Sequence, residues 1–335
     1  MTTERSPSWR RGLVWASAAL LFVSAARLGV GTSGFGLSAD QVGRTFLWLR
    51  AERLAVAAVA GLALAVSGVS LQALLRNPLA EPYLLGLSTG AAVGMVAAAT
   101  LGAERVGVSS GIGAVLGAGL TMAAVFALGR RRGVLDPLGV LLVGVVVSTI
   151  NGAIVLLLAY LNGPGGVRDE VARWMMGSLS VSGGWSTSGV VATATALGWG
   201  WMLFRGPALD VATLSDEEAS GLGVDVARLR TEAFVAAAAL AGGAVVLAGP
   251  VAFVGLIAPH LARALCGAPH RGVLIVAGVL GAALLVAADV AGVLVKLASE
   301  GVGRPTGLIP VGVWTALVGG VSFVVLLRPR LGRGE

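Results

Sequence analysis

Few residues in this chain could carry chemistry. His260 and His270 are the two histidines and Cys266 is the single cysteine. A zinc site needs three or four convergent ligands, so no metal site is expected. One thiol also excludes a disulfide framework. Nucleotide chemistry is equally unprovided for. A phosphate-binding loop ends on Lys followed by Ser or Thr. The only lysine is Lys296, and Leu297 follows it. No paired carboxylates lie within the apolar stretches, and no nucleophile stands beside a base. An enzyme is therefore not expected, and any ATP that drives this protein is hydrolysed by a separate subunit. Asp289 is the main charge inside an apolar stretch; it reads either as a helix-terminal residue paired with Lys296 or as part of a proton relay.

One polar segment is organised enough to act as a contact. Within residues 209–225, Leu214-Ser215-Asp216-Glu217-Glu218-Ala219-Ser220-Gly221-Leu222-Gly223 reads as a short helix. Ser215 caps it, and the acids of its first turn complement the helix dipole. Gly221 or Gly223 ends it. It is either an ordinary solvated helix or a docking element for a cytoplasmic partner.

The elements that must position these residues are membrane helices. Of 335 residues, 56% are hydrophobic and 12% charged, and the mean hydropathy is +0.89. Soluble domains carry roughly 25% charged residues, so a soluble enzyme and a disordered chain are both excluded. The 51 glycines fit packed membrane helices. The runs are apolar on every side, which excludes the alternating strands of a membrane barrel. Net charge +7 does not indicate nucleic acid, because the arginines are scattered between apolar runs.

A span needs about 20 apolar residues. The charge-free runs predict ten: 12–31, 54–75, 83–103, 107–129, 138–161, 184–204, 233–249, 251–265, 272–291 and 308–327. The division at 250 rests on Gly249-Pro250, since proline breaks a helix interior. The fold class is thus all-α, integral to the membrane, with one transmembrane domain over 1–335. Spacings such as Gly90-x-x-x-Gly94 and Gly113-x-x-x-Gly117 predict close helix packing. With the N-terminus inside, 15 of the 24 basic residues fall on the cytoplasmic side, so both termini are expected there. A rival reading takes Arg10-Arg11 through Val23-Ser24-Ala25 as a cleaved secretory signal. His270 is expected to face solvent. Stretch 163–184, with Arg173-Trp174, is expected to form an interfacial helix.

Three stretches go beyond composition. The first runs from Arg50-Ala51-Glu52-Arg53 through Arg76-Asn77-Pro78-Leu79-Ala80-Glu81-Pro82 to Leu85-Gly86-Leu87-Ser88-Thr89-Gly90. The second is Gly249-Pro250 to Gly255-Leu256-Ile257-Ala258-Pro259-His260. The third is Ile309-Pro310-Val311-Gly312-Val313-Trp314. Together they resemble the FecCD-type permeases, membrane subunits of bacterial ABC importers for iron-siderophores, haem and cobalamin. Leu308 stands where that family usually has Glu, and Gly319-Gly320-Val321-Ser322-Phe323 departs from the usual last-helix pattern.

The resemblance implies a ten-helix type II importer permease in the cytoplasmic (inner) membrane, paired with a second permease subunit as a homodimer. It implies two ATP-binding subunits, which hold ATP and Mg, and an extracytoplasmic substrate-binding protein. Segment Leu214, Ser215, Asp216, Glu217, Glu218, Ala219, Gly221, Leu222 and Gly223 becomes the ATPase coupling element. Arg50, Arg53 and, more weakly, Arg304 become docking residues for the binding protein. Ser148, Thr149 and Asn151 line the translocation path. Arg76, Asn77, Pro78, Pro259, His260, Pro310 and Gly312 are structural motif residues. The runner-up function is an autonomous ion-coupled transporter or channel.

Overall fold

The computed structural model describes residues 8–32, 34–36, 41–102, 110–131, 134–162, 172, 174–179, 184–267, 269–304 and 306–331. Eleven helices are described: α1 Ser8–Gly29, α2 Gln41–Leu74, α3 Leu87–Thr100, α4 Ser110–Leu128, α5 Pro137–Leu161, α6 Gly184–Ala212, α7 Asp216–Gly221, α8 Val226–Ala248, α9 Val254–Cys266, α10 His270–Gly301 and α11 Val311–Leu331. A 3-10 turn, Pro82–Leu85, precedes α3. Among the described residues, strand-like pairing is limited to two-residue bridges, Val30–Gly31 with Gly34–Phe35 and Arg130–Arg131 with Val134–Leu135. Six of the helices are long and apolar enough to cross a membrane: α1, α2, α4, α5, α8 and α10. The end of the bundle carrying α7 is called basal below, and the opposite end distal.

α2 is the axle of the bundle. It packs against α10, α8, α9 and α6, and Ala57, Ala60, Ala63, Val66, Val69 and Leu71 are fully or almost fully buried. Small residues permit this enclosure. A β-carbon added at Gly61 would lie 2.2 Å from the carbonyl oxygen of Gly281 on α10. One added at Gly68 would lie 1.9 Å from that of Gly255 on α9. The two four-residue glycine spacings of the sequence pack on each other. Added β-carbons at Gly94 (α3) and Gly117 (α4) would come within 2.0 and 2.1 Å of the carbonyls of Gly113 and Gly90. Backbones in lipid gain dispersion contact by such approach.

Several helices outrun their charge-free cores. α2 starts at Gln41 rather than 54, α6 continues to Ala212 rather than 204, and α10 continues to Gly301 rather than 291. Charged residues mark the edge of the apolar run, but a helix continues past that edge wherever its arginines and carboxylates find partners.

Pro207 and Pro259 sit deep inside helices, and the carbonyl that each frees is taken by a neighbouring helix. Pro259 cannot donate to Gly255, four residues back; Nε2 of Gln72 donates to that oxygen instead, at 3.3 Å. Pro207 likewise frees Leu203, whose carbonyl accepts from Nε of Arg271 at 3.0 Å. Substitute donors are what make proline tolerable in such helices. Pro259 and His260 lie within α9.

Between α8 and α9 the chain is broken at 249–253. Gly249 (φ 64°) ends α8, and Phe253 (φ 69°) precedes α9.

Candidate functional site

The basal site is built around α7. Ser215 stands before it in extended conformation, and its hydroxyl accepts the Glu218 N–H at 3.2 Å. The Glu218 carboxylate in turn accepts the Ser215 N–H at 3.0 Å, completing a capping box. Hydrogen bonds from the Ser215 side chain and backbone hold the Glu218 carboxyl below its ordinary range. Gly223 (φ 81°) turns the chain away. Ala219 is buried, while Leu214, Glu217 and Leu222 are exposed.

Asp216 ties this helix to the bundle. It accepts from Arg76 Nη2 at 2.5 Å and from both terminal nitrogens of Arg230 at 2.8 and 2.9 Å. Partial burial pushes its carboxyl up, but the Arg230 and Arg76 hydrogen bonds and charges outweigh that and hold it below the usual range. Arg76 also donates from Nε to the carbonyl of Ala212, the last residue of α6, at 3.1 Å. Arg76 to Pro78 therefore form a shelf under α7. Asn77 builds the turn: its side chain accepts the Leu79 N–H at 2.9 Å.

His270 does not face solvent. It is 7% exposed, and Nδ1 lies 2.6 Å from Asp210, which also accepts the His270 backbone N–H at 2.9 Å. This pins the start of α10 to the end of α6. The basic stretch around His270 points to a solvent-facing position; the partner that buries it is Asp210, 60 residues earlier.

At the distal end, Asp289 is paired with arginines rather than with Lys296. Arg27 Nε lies 2.5 Å from its carboxylate and Arg53 Nη2 2.8 Å. Lys296 bonds to Glu300 at 2.7 Å and to the Thr32 carbonyl at 2.8 Å. The helical turn decides this: Glu300 is four residues from Lys296, whereas Asp289 is seven away and shares its level with α1 and α2. Arg50 donates to the carbonyls of Leu28 and Gly36 at 2.9 and 3.0 Å. The guanidinium groups of Arg50 and Arg27 thus hold the start of the distal loop, while that of Arg53 ties α2 to α10. Arg304 is exposed.

Three separate segments converge beside the α8–α9 break. Gly312 donates its N–H to the Gly177 carbonyl at 3.1 Å. A β-carbon on Gly177 would meet the Pro250 carbonyl at 2.4 Å, and one on Gly312 would meet that of Met176 at 2.3 Å. Pro310 leads into α11. The reading of 163–184 as an interfacial helix falls mostly outside the described residues.

The three polar residues of α5 do not share one environment. Asn151 is buried and donates to the Thr121 hydroxyl of α4 at 3.0 Å and towards Thr89 of α3 at 3.5 Å. Ser148 and Thr149 bond back to the carbonyls of Gly144 and Val145. Thr149 is exposed among Val145, Val146 and Ile150. Asn151 therefore clamps three helices together, and the open face of α5 is chiefly apolar.

Comparison with known proteins places this architecture. The model of the FecCD transport family matches residues 13–329. The cobalamin import system permease protein BtuC of Halobacterium salinarum is 34% identical over 98% of this chain and 84% of its own. The hemin transport system permease protein HmuU of Yersinia pestis is 36% identical over 87% of this chain and 85% of its own. A solved ABC transporter of suggested metal-chelate type, in an inward-facing conformation, superposes with a TM-score of 0.83 at 28% identity, covering 95% of this chain and 98% of that one. On a match that runs nearly end to end, this chain belongs to the FecCD transport family.

Proposed function

We propose that this chain is the membrane-spanning permease of an ATP-driven importer for an iron-siderophore, haem or cobalamin. Family membership carries the reading, and the related permeases named above serve cobalamin and haem. The chain does no chemistry of its own. ATP with Mg is held by two partner ATPase subunits, a binding protein delivers cargo on the far side, and a second copy of the chain completes the path.

Of the eleven helices among the described residues, ten cross the membrane, all but the six-residue α7. The basal end is cytoplasmic, with both termini there, in the bacterial inner membrane. α7 and its flanks, Leu214 to Gly223, dock the ATPase. Its capping box and its hold on Arg76 and Arg230 give it a fixed pose from which force can be transmitted. The exposed face of α5, carrying Thr149, borders the path. Ser148 and Asn151 set that helix's position. Arg304 offers the binding protein a free cation, and exposed basic residues steer an acidic partner. Arg50 and Arg53 shape the surface beside it.

Reconstitution tests this. With cognate ATPase and binding protein in vesicles, ATP drives uptake of cobalamin, haem or a ferric hydroxamate. Uptake by the isolated chain under an ion gradient alone would overturn the reading.

A further inference from the structure

Among the described residues, two that are not glycine have positive φ: Arg76 at 46° and Phe253 at 69°. That conformation is costly for a residue with a β-carbon and persists where neighbours over-determine it, often at switch regions. These two residues stand at opposite ends of one hydrogen-bonded path.

At one end, Arg76 holds Asp216 of α7 and the Ala212 carbonyl. The chain then makes a tight turn. The Asn77 N–H donates to Gln72 at 3.2 Å, and the Ala80 N–H donates to Asn77 at 3.0 Å. At the other end, the carboxylate of the next residue, Glu81, accepts the Phe253 N–H at the α8–α9 break. Gln72 fastens the strut along its length. Its Nε2 donates to the carbonyls of Ala80 and Gly255, both at 3.3 Å, and its Oε1 accepts from Arg263 at 2.6 Å. Beyond the break, Phe253 bears on α11: a β-carbon on Gly319 would lie 2.3 Å from the Phe253 β-carbon. The Pro250 carbonyl of the same break abuts Gly177 and Gly312.

We infer that segment 76–81 is a rigid strut that carries displacement of α7 to the α8–α9 break, and that Glu81 is the positioning residue that fixes Phe253 and, through it, α11. This rests on α7 being the ATPase docking element. Glu81 is 8% exposed. Its carboxyl is the acceptor for the Phe253 N–H in that buried setting, so losing it leaves a buried donor unpaired. The path is short, continuous and packed, as physical coupling requires.

The test uses the whole complex, permease with ATPase and binding protein, in lipid nanodiscs. Cys266→Ser removes the native thiol, and Ala252→Cys places a maleimide target in the break. In this parent, trapping the ATPase with ATP and vanadate changes the labelling rate about fivefold or more, the usual range of coupling between sites. Glu81→Met, which removes the acceptor of the Phe253 N–H, brings that ratio close to one while ATPase co-purification is unchanged. Glu81→Gln keeps an acceptor oxygen and retains most of the response. A full response in Glu81→Met overturns the strut, as does a parent complex that binds ATPase and shows no response. Should Glu81→Met not fold, Arg76→Lys decides. It keeps the charge and loses the two-pronged hold, so an undiminished ratio there overturns the inference. Failure of the parent to retain ATPase strikes the docking reading instead.

Discussion

The guanidinium of Arg27 lies 2.5 Å from the carboxylate of Asp289, although 262 residues separate them in the chain. The contact locks α1 to α10, and Arg53 of α2 closes on the same carboxylate. Both members of the Arg27–Asp289 pair are almost fully buried. Breaking a buried pair from one side leaves uncompensated charge and costs about 3–5 kcal/mol. Asp289→Asn should therefore lower the unfolding temperature in detergent sharply and admit protease near 30–36. Thermal stability equal to the parent would show that the cluster is not holding the helices. Arg53→Glu should share much of this loss, so Arg304→Glu is the cleaner probe of binding-protein docking.

The α3–α4 contact should tolerate no side chain at its centre. Gly94→Val places methyl groups where the Gly113 backbone already stands. Overpacking of this kind costs about 1–3 kcal/mol or more. Gly119→Ala, on the same helix pair but facing open space, is the matched control and should be near neutral. Comparing folded yield and melting temperature of the two variants checks the packing directly.

The capping box of α7 predicts a graded effect on assembly. Ser215→Ala removes the acceptor for the Glu218 N–H and costs the helix about 0.5–2 kcal/mol. ATPase affinity should fall measurably in titrations with labelled ATPase subunit. Asp216→Ala should fall further, since it also releases Arg76 and Arg230. Equal affinity for all three proteins would remove α7 from the docking surface.

Glu81 predicts a pH dependence of opposite sign to that of an ordinary surface carboxylate. Burial raises its pKa from 4.5 to about 7, against the lowering influence of the Phe253 N–H. The folded protein thus holds this proton more tightly than the unfolded chain. Its contribution is complete below pH 4.5 and is lost as pH rises through about 7, roughly 3 kcal/mol in all. Melting temperature should decline from pH 5 to pH 8 by an amount that Glu81→Gln abolishes. A Glu81→Gln profile parallel to the parent would refute the assignment.

Much of the architecture is legible in the sequence, because a lipid environment demands long uncharged runs and leaves little ambiguity about where helices lie. The interruption after Ala248 is legible from Gly249-Pro250, and the cap at Ser215 from its acidic first turn. The ends of α2, α6 and α10 are not, because Arg50 and Arg53, Asp210, and Lys296 respectively are accommodated there by partners outside their own apolar runs. The fate of Asp289 is hidden for the same reason. Its level in the bundle, shared with Arg27 and Arg53, depends on how three helices stack, and sequence proximity points to Lys296 instead. Asn151 looks like a lining residue by type alone; only its neighbours Thr121 and Thr89 reveal a clamp. Gln72 and Glu81 carry no local signal beyond the motif around them. One usable sign exists, that each in-helix proline frees a carbonyl that some other residue must satisfy.

The enclosure of α2 bears on how the protein is made. Its polar side chains reach partners synthesised far later: Ser70 meets Met202, Ser67 meets Ala237, Gln72 meets Gly255 and Arg53 meets Asp289, between 132 and 236 residues downstream. At about 5–20 residues per second, the ribosome needs on the order of 10–50 s to deliver the last of them. Until then Ser70 has only its own helix's Val66 carbonyl and Gln72 only the nearby Ala80 carbonyl, while Ser67 and Arg53 wait for their distant partners. The late arrival of these partners makes the polar face of α2 a point where substitutions bear on assembly as well as on final stability.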